Sequence, residues 1–186
     1  MIKKKQCLCC LPFILFAWSC TFNYGNSESS GNELPDLVMQ NVDYIRVRAA
    51  DPLARIQAER FERYDSKDLM KLNNIVFEQY GERGEEVNVY GKAGNAEVHI
   101  ESGDIFMDNN VNLEVKTEDI ILQTYQLEWI DESRSLSTGE NDFVNIYREN
   151  GTRFTGIGLL ANTRTRIWEF LRNVSGVYVH ENNDEE

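Results

Sequence analysis

The chain has few of the residues on which catalytic and metal centres usually depend. All four cysteines lie in the first twenty positions: Cys7, Cys9, Cys10 and Cys20. The rest of the chain therefore has no disulfide framework and no thiolate metal site. The two histidines, His99 and His180, stand far apart without a second ligand at metal spacing. No serine occupies a Gly-x-Ser-x-Gly turn, so these absences argue against a soluble enzyme.

Basic residues are also scarce. The sequence has 19 Lys and Arg against 31 Asp and Glu, a net charge of −12, and three of the lysines fall within the first five positions. Such a surface repels phosphate backbones and anionic headgroups, which argues against nucleic-acid binding and against a membrane contact made by basic residues. Glu128, Asp131 and Glu132 offer a carboxylate cluster, but acidic residues beside a turn are ordinary in a chain this acidic. We therefore predict no catalytic residues, no metal and no cofactor.

No apolar run reaches the roughly 20 residues that a membrane-spanning helix needs. The N-terminus has a basic start, an apolar segment at 7–19 interrupted by Pro12, and then Ala17-Trp-Ser-Cys20. This pattern is typical of a bacterial lipoprotein signal, with Cys20 as the acylated residue; a signal anchor reaching about Tyr24 and an ordinary cleaved signal are the alternatives. We predict a signal at 1–20, a flexible spacer at 21–33, a folded domain at 34–180 and an acidic tail at 181–186.

After residue 34 the sequence is a series of short strand-like segments separated by turn residues, which predicts an all-β domain. Segment 53–72 would also suit a helix, and we assign it as strand because its repeat partners alternate more clearly. The predicted strands are 42–48, 53–64, 69–79, 86–91, 96–101, 104–107, 111–117, 120–129, 136–137, 144–148, 153–160, 165–170 and 174–179. Asn150-Gly151 between two of these runs is a strong hairpin signal.

A pattern returns four times along this region. Each copy is centred on a small residue, and the four are Ala58, Ala93, Thr124 and Gly156, spaced 31 to 35 positions apart. In three copies an Asn-apolar pair closes the unit 18 residues after the small residue. A single hairpin cannot bury its own apolar face, so we expect the repeated units to stack into one continuous core.

Alternating apolar residues predict that one face of each strand is apolar and the other wet. An open trough lined by this face would suit acyl chains, whereas the alternative is that the same side chains fill a closed core. The predicted groove residues are Ile56, Phe61, Val76, Val98, Ile100, Val111, Leu113, Leu127, Trp129, Phe154, Leu159 and Trp168.

Two segments carry a resemblance to a known family. Ala54-Arg-Ile-Gln-Ala-Glu-Arg-Phe61 and Leu72-Asn-Asn-Ile-Val76, together with the tethering N-terminus, resemble the LptC family of periplasmic lipopolysaccharide-export proteins, which share their repeat with LptA and OstA-like domains. The resemblance covers residues 34–179. It implies an open, twisted β-jellyroll of stacked antiparallel hairpins that receives a glycolipid from an inner-membrane ABC transporter and passes it to a periplasmic LptA-like bridge protein.

The family docks head to tail through open sheet edges, which implies partner strands at both ends of this domain. The N-terminal edge would be 42–48 and the C-terminal edge 165–179. The predicted edge residues are Val42, Tyr44, Val47, Val174, Val177 and Val179. The alternative function is a structural lipoprotein scaffold that docks partners by edge-strand pairing. In either case we expect the protein at the periplasmic face of the inner membrane, and the outer membrane is the alternative location.

Overall fold

The computed structural model describes residues 34–180, and within them the chain forms one antiparallel sheet of ten strands. Three short 3₁₀ turns, Asp65–Lys67, Glu82–Gly84 and Lys116–Glu118, join neighbouring strands. The strands are β1 Leu37–Arg48, β2 Asp51–Tyr64, β3 Leu69–Tyr80, β4 Val87–His99, β5 Ile105–Val115, β6 Ile120–Ile130, β7 Ser135–Ser137, β8 Phe143–Tyr147, β9 Arg153–Asn162 and β10 Ile167–Val177.

Pairing follows the order of the chain almost throughout. The sheet runs β1-β2-β3-β4-β5-β6, after which β7 and β8 both pair with β6 and with β9, and β10 pairs with β9. The predicted all-β class is therefore confirmed, and segment 53–72 is strand rather than helix. Both ends of the sheet, β1 and β10, have a neighbour on one side only.

In each of five strands, the alternation of inward and outward side chains is interrupted once. At that point two residues, instead of one, separate successive inward positions. In β2 the inward side chains are Ala58 and then Phe61, and in β3 they are Leu72 and then Ile75. The same step occurs at Ala93 and Ala96, Thr124 and Leu127, and Gly156 and Leu159. In β2, β4, β6 and β9 the repeated small residue thus marks the place where the strand changes the face that it buries.

Left-handed backbone conformations lie within one of these strands, β3, and within three strands that pair with the others. Asn41, Asn74, Asn110 and Asn173 all have φ between 47° and 64° within strands β1, β3, β5 and β10. Asparagine tolerates this conformation better than most residues because its short side chain can bond locally. The asparagines that close the sequence repeats are therefore bend positions inside strands and not turns between them.

Three predicted strand breaks are wrong for this reason. Segments 86–91 and 96–101 fall largely within one strand, β4, and segments 104–107 and 111–117 fall largely within β5. Likewise 165–170 and 174–179 fall largely in β10. The register shifts at 92/95, 108/111 and 172/175, so each break is a β-bulge that leaves the strand continuous.

The core lies along the inner side of this bent sheet. Leu122, Leu127, Val144 and Leu159 are at most 1 % exposed. At one bend the neighbouring side chain leaves room only for glycine, because a Cβ on Gly156 would lie 2.4 Å from the Phe170 ring. Small residues at the bend therefore let neighbouring aromatic rings close over the core.

Candidate functional site

An apolar cavity of about 380 Å³ lies on the inner side of the sheet. This volume is at the lower end of the range that binding sites for small ligands occupy, roughly 300–1,000 Å³. Its wall is formed by Phe77, Gln79, Val89, Ile105, Met107, Leu113, Val115, Thr117, Glu118, Ile120, Leu127, Trp129, Leu136, Thr163, Arg166 and Trp168. The wall is thus mostly aliphatic and aromatic.

The bends in the strands create this cavity. Ile105 and Val115 stand at opposite ends of β5, and a straight strand would hold them about 34 Å apart. Both nevertheless line the same cavity. The sheet is therefore folded into two leaves that face each other across the cavity, with the small residues and bulges along the fold.

Four of the twelve predicted groove residues line this cavity: Leu113, Leu127, Trp129 and Trp168. Six more belong to the adjoining core. Of these, Val111 and Leu159 are buried, and Ile56, Phe61, Val98 and Phe154 are partly buried against the core. The interior is therefore neither wholly packed nor wholly open, because a closed core along the bend is continuous with a cavity between the leaves.

Two predicted groove residues are placed elsewhere. Val76 is wrong by one position: it pairs with Gln57 and Lys92, whereas its neighbour Ile75 is buried in the core opposite Ala93. The bend at Asn74 changes the buried face just before it. Ile100 lies in the turn after β4, is 38 % exposed, and donates its backbone N–H to the Asp68 carbonyl.

Several wall residues were not among the predicted groove residues. Val89, Ile105, Met107 and Val115 belong to the alternating apolar face, and that alternation was the signal that could have identified them. Phe77 could have been found from the bend at Asn74, which reverses the face. Nothing in the sequence pattern distinguishes the polar wall residues, because they are brought together only by the folding of the leaves.

Four of the five polar wall residues lie on the β5–β6 and β9–β10 turns, which approach each other at the mouth of the cavity. Arg166, at the β9–β10 turn, has its Nη2 3.9 Å from Oε1 of Glu118, at the β5–β6 turn. Thr163 lies on the same side as Arg166, and Thr117 precedes Glu118. The cavity is therefore apolar along its length and polar at one end.

A second set of contacts holds the neighbouring turn in place. Arg134 lies 5.4 Å from the centroid of the Trp129 ring, and its Nη1 is 2.8 Å from the Asp131 carboxylate. Thr163 donates its backbone N–H and its hydroxyl to the Arg134 carbonyl, at 3.0 and 3.1 Å. The tips of the β6–β7 and β9–β10 hairpins are joined by these bonds.

The three carboxylates considered above have separate surroundings. Glu128 accepts a hydrogen bond from the Ser137 hydroxyl, and Asp131 faces Arg134. Glu132 is exposed in the turn. The backbone N–H of Asp131 donates to Asp104, and this bond, with a second from Ser102, lowers the pKa of the Asp104 carboxyl. These contacts tie the turns of the sheet together.

The predicted N-terminal edge, 42–48, lies within β1, and most of the predicted C-terminal edge, 165–179, lies within β10. Val42 is partly exposed, Tyr44 and Val47 are 54 % and 59 % exposed on β1, and Val174 and Val177 are 56 % and 46 % exposed on β10. Val179, predicted as an edge residue, instead lies after the end of β10 and exchanges hydrogen bonds with Thr152. On β1, Met39 and Tyr44 pair with Phe61 and Ile56, so the apolar inner face continues onto an exposed edge.

Cys20, the predicted signal and spacer, and the acidic tail lie outside the described residues. Within residues 34–180, no helix has the length and hydropathy to cross a membrane. The same residues contain no cluster of three or more His, Cys, Asp or Glu side chains that could hold a metal ion.

Comparison with known proteins identifies the family. The sequence profile described as "Lipopolysaccharide-assembly, LptC-related" matches residues 8–179. No curated protein matched significantly. Among solved structures, the chain is similar to LptH of Pseudomonas aeruginosa, the LptA-homologous periplasmic component of its lipopolysaccharide transport device, with a TM-score of 0.53 and 14 % identity over 68 % of this chain and 95 % of that one. That likeness establishes the β-jellyroll fold, and the profile match establishes that this chain belongs to the LptC family.

Proposed function

We propose that this protein is a periplasmic component of lipopolysaccharide transport that receives the glycolipid from an inner-membrane ABC transporter and passes it to an LptA-like bridge protein. The observation that carries the proposal is the apolar cavity between the two leaves of the bent sheet. Each buried methylene of an acyl chain contributes roughly 0.8 kcal/mol, so such a wall favours the lipid portion of the molecule. The protein then acts as a conduit and catalyses no covalent step.

The two edge strands support the transfer part of this proposal. An unpaired strand edge offers backbone N–H and C=O groups to a strand of another protein. On β1 the inner side chains Met39 and Tyr44 continue the apolar face and are 38 % and 54 % exposed. A partner strand that paired with β1 would extend both the sheet and its apolar face, so lipid could pass without entering water.

Tethering completes the proposal. Acylation of Cys20, or a signal anchor in the same segment, would hold the domain at the periplasmic face of the inner membrane. A variant with Cys20→Ala, followed by fractionation and mass measurement of the mature N-terminus, distinguishes the two. A signal anchor predicts that the mass changes only by the substituted side chain and that membrane retention is unchanged, whereas acylation predicts loss of the lipid mass.

Site-specific photo-crosslinking in cells tests the conduit. Leu127 and Trp129 line the cavity, and Glu128 between them points to the opposite face of the same strand. A photoreactive residue at 127 or 129 should form lipopolysaccharide adducts, and one at 128 should not. If all three positions lack adducts in folded, membrane-bound protein, the conduit is excluded and the alternative, a scaffold that only docks partners through its edges, takes its place.

A further inference from the structure

The mouth of the cavity differs chemically from its length. Most of the wall residues are apolar, and Thr117, Glu118, Thr163 and Arg166 are gathered where the β5–β6 and β9–β10 turns approach each other. An apolar cavity with a guanidinium at its polar end matches an amphipathic anion that displaces the Glu118 carboxylate, with its acyl chain inside and its charged group at the opening.

The backbone beneath Arg166 is held firmly. The Asn162 side-chain oxygen accepts hydrogen bonds from the backbone N–H groups of Arg164 and Thr165, at 3.0 and 2.9 Å. Thr163 is bonded to the Arg134 carbonyl. Arg166 itself has φ of 57°, a left-handed conformation at the end of the turn. The turn therefore presents Arg166 from a fixed position.

The guanidinium itself is only weakly engaged. Among the described residues its ion-pair partner is Glu118, 3.9 Å away, and the Arg166 side chain is 79 % exposed. An exposed pair at this distance contributes little, and a phosphate can accept two parallel hydrogen bonds from one guanidinium. An incoming anion could therefore displace Glu118 from Arg166.

From this arrangement we propose that Arg166 binds an anionic headgroup phosphate of the lipid whose acyl chain enters the cavity, and that Glu118 competes with that phosphate for Arg166. This proposal rests on the proposed transport function and specifies which part of the glycolipid meets the mouth. It predicts that substitutions at Arg166 and Glu118 have opposite effects on binding.

Binding to the full chain in nanodiscs of phosphatidylcholine tests this. Trp18→Phe leaves Trp129 and Trp168 as the only tryptophans of the three, and both line the cavity, so their fluorescence reports occupancy. The probes are lipopolysaccharide, chemically dephosphorylated lipopolysaccharide, and inorganic phosphate alone. R166Q should weaken binding of the phosphorylated form about fivefold, and E118Q should tighten it about twofold. Neither should change the Kd of the dephosphorylated form.

R48Q is the matched control. Arg48 is also exposed, and its substitution removes the same charge at the end of β1. The proposal is overturned if R166Q and R48Q weaken binding equally, because the effect would then be net charge alone. It is also overturned if inorganic phosphate binds as tightly as lipopolysaccharide, since the site would then take free phosphate. If the parent protein binds neither form of lipopolysaccharide, the proposed function fails as well, so the two failures are distinguishable.

Discussion

The two inner leaves and the two edge strands use similar residues for different purposes. In the central strands, Leu127 and Leu159 are fully buried, whereas Glu128 and Leu160, which follow them on the outer face, are exposed. On β1 and β10, Val, Ile, Leu and aromatic side chains are exposed on both faces. Apolar composition alone therefore does not indicate burial in this protein. Central apolar residues hold the leaves together, and edge apolar residues are available to a partner.

The largest expected effect is in the central leaves. Leu159→Ala removes a fully buried side chain from the core and should lower the free energy of unfolding by about 2–5 kcal/mol. Leu160→Ala is the matched control, because Leu160 is the next residue and is 46 % exposed; its change should stay within about 0.5 kcal/mol. Urea unfolding of both variants checks this. Equal losses would mean that the two faces of β9 are both packed.

The next effect concerns the bends. Asn110 has φ of 64°, so Asn110→Val should lower the free energy of unfolding by about 1–2 kcal/mol because a β-branched residue is strained there. Asn110→Gly should be close to neutral, since glycine adopts this conformation freely. Thermal unfolding compares the two. A neutral Val substitution would show that the bend does not require a left-handed residue.

A smaller effect on stability, with a large effect on docking, is expected at the edges. Val174→Lys on β10 should change the free energy of unfolding by less than about 0.5 kcal/mol, because Val174 is 56 % exposed. In cells it should abolish crosslinking to the proposed LptA-like bridge protein, since a charged edge disfavours strand pairing. Thr165→Lys, an exposed position in the adjoining turn, is the control. If Val174→Lys unfolds the protein, Val174 is a core residue and not an exposed edge residue.

The smallest effect is electrostatic, on the outer face of the β1–β2 hairpin. Arg55 donates two hydrogen bonds to Asp43, and these lower the pKa of the Asp43 carboxyl to about 2 from 3.8. The pair therefore stabilises the hairpin above about pH 3.8, and the contribution is lost as the pH falls toward 2. NMR titration of Asp43 should show its pKa return toward 3.8 in Arg55→Gln, with global stability nearly unchanged at pH 7.

Much of this architecture follows from sequence periodicity. Alternation predicts the strands, and the four spaced small residues indicate repeated hairpins, because stacked units must bury the same face. The bends were harder to predict. Asn109-Asn110 and Gly94-Asn95 have the composition of turns, yet in the sheet they are bulges within β5 and β4. Local turn chemistry is the same in both situations, and only pairing to the neighbouring strand separates them.

The candidate site could also be predicted only in part, because the face that a strand buries depends on where the strand bends. Leu127 and Trp129 could be assigned inward by alternation, while Val76 was wrong because the face reverses at Asn74. The polar mouth could not be anticipated. Arg166 and Glu118 are 48 positions apart, and they meet only because two turns approach each other when the leaves fold.

The sequential pairing of β1 to β6 also affects how the protein opens. Each of these strands touches mainly the one before and the one after it, so an end strand can detach while the rest remains folded. Its local opening then costs one interface rather than the whole unfolding free energy. A partner strand that joins β1 or β10 adds the missing second interface. Docking should therefore slow amide hydrogen exchange in that edge strand, while exchange in β5 and β6 stays the same.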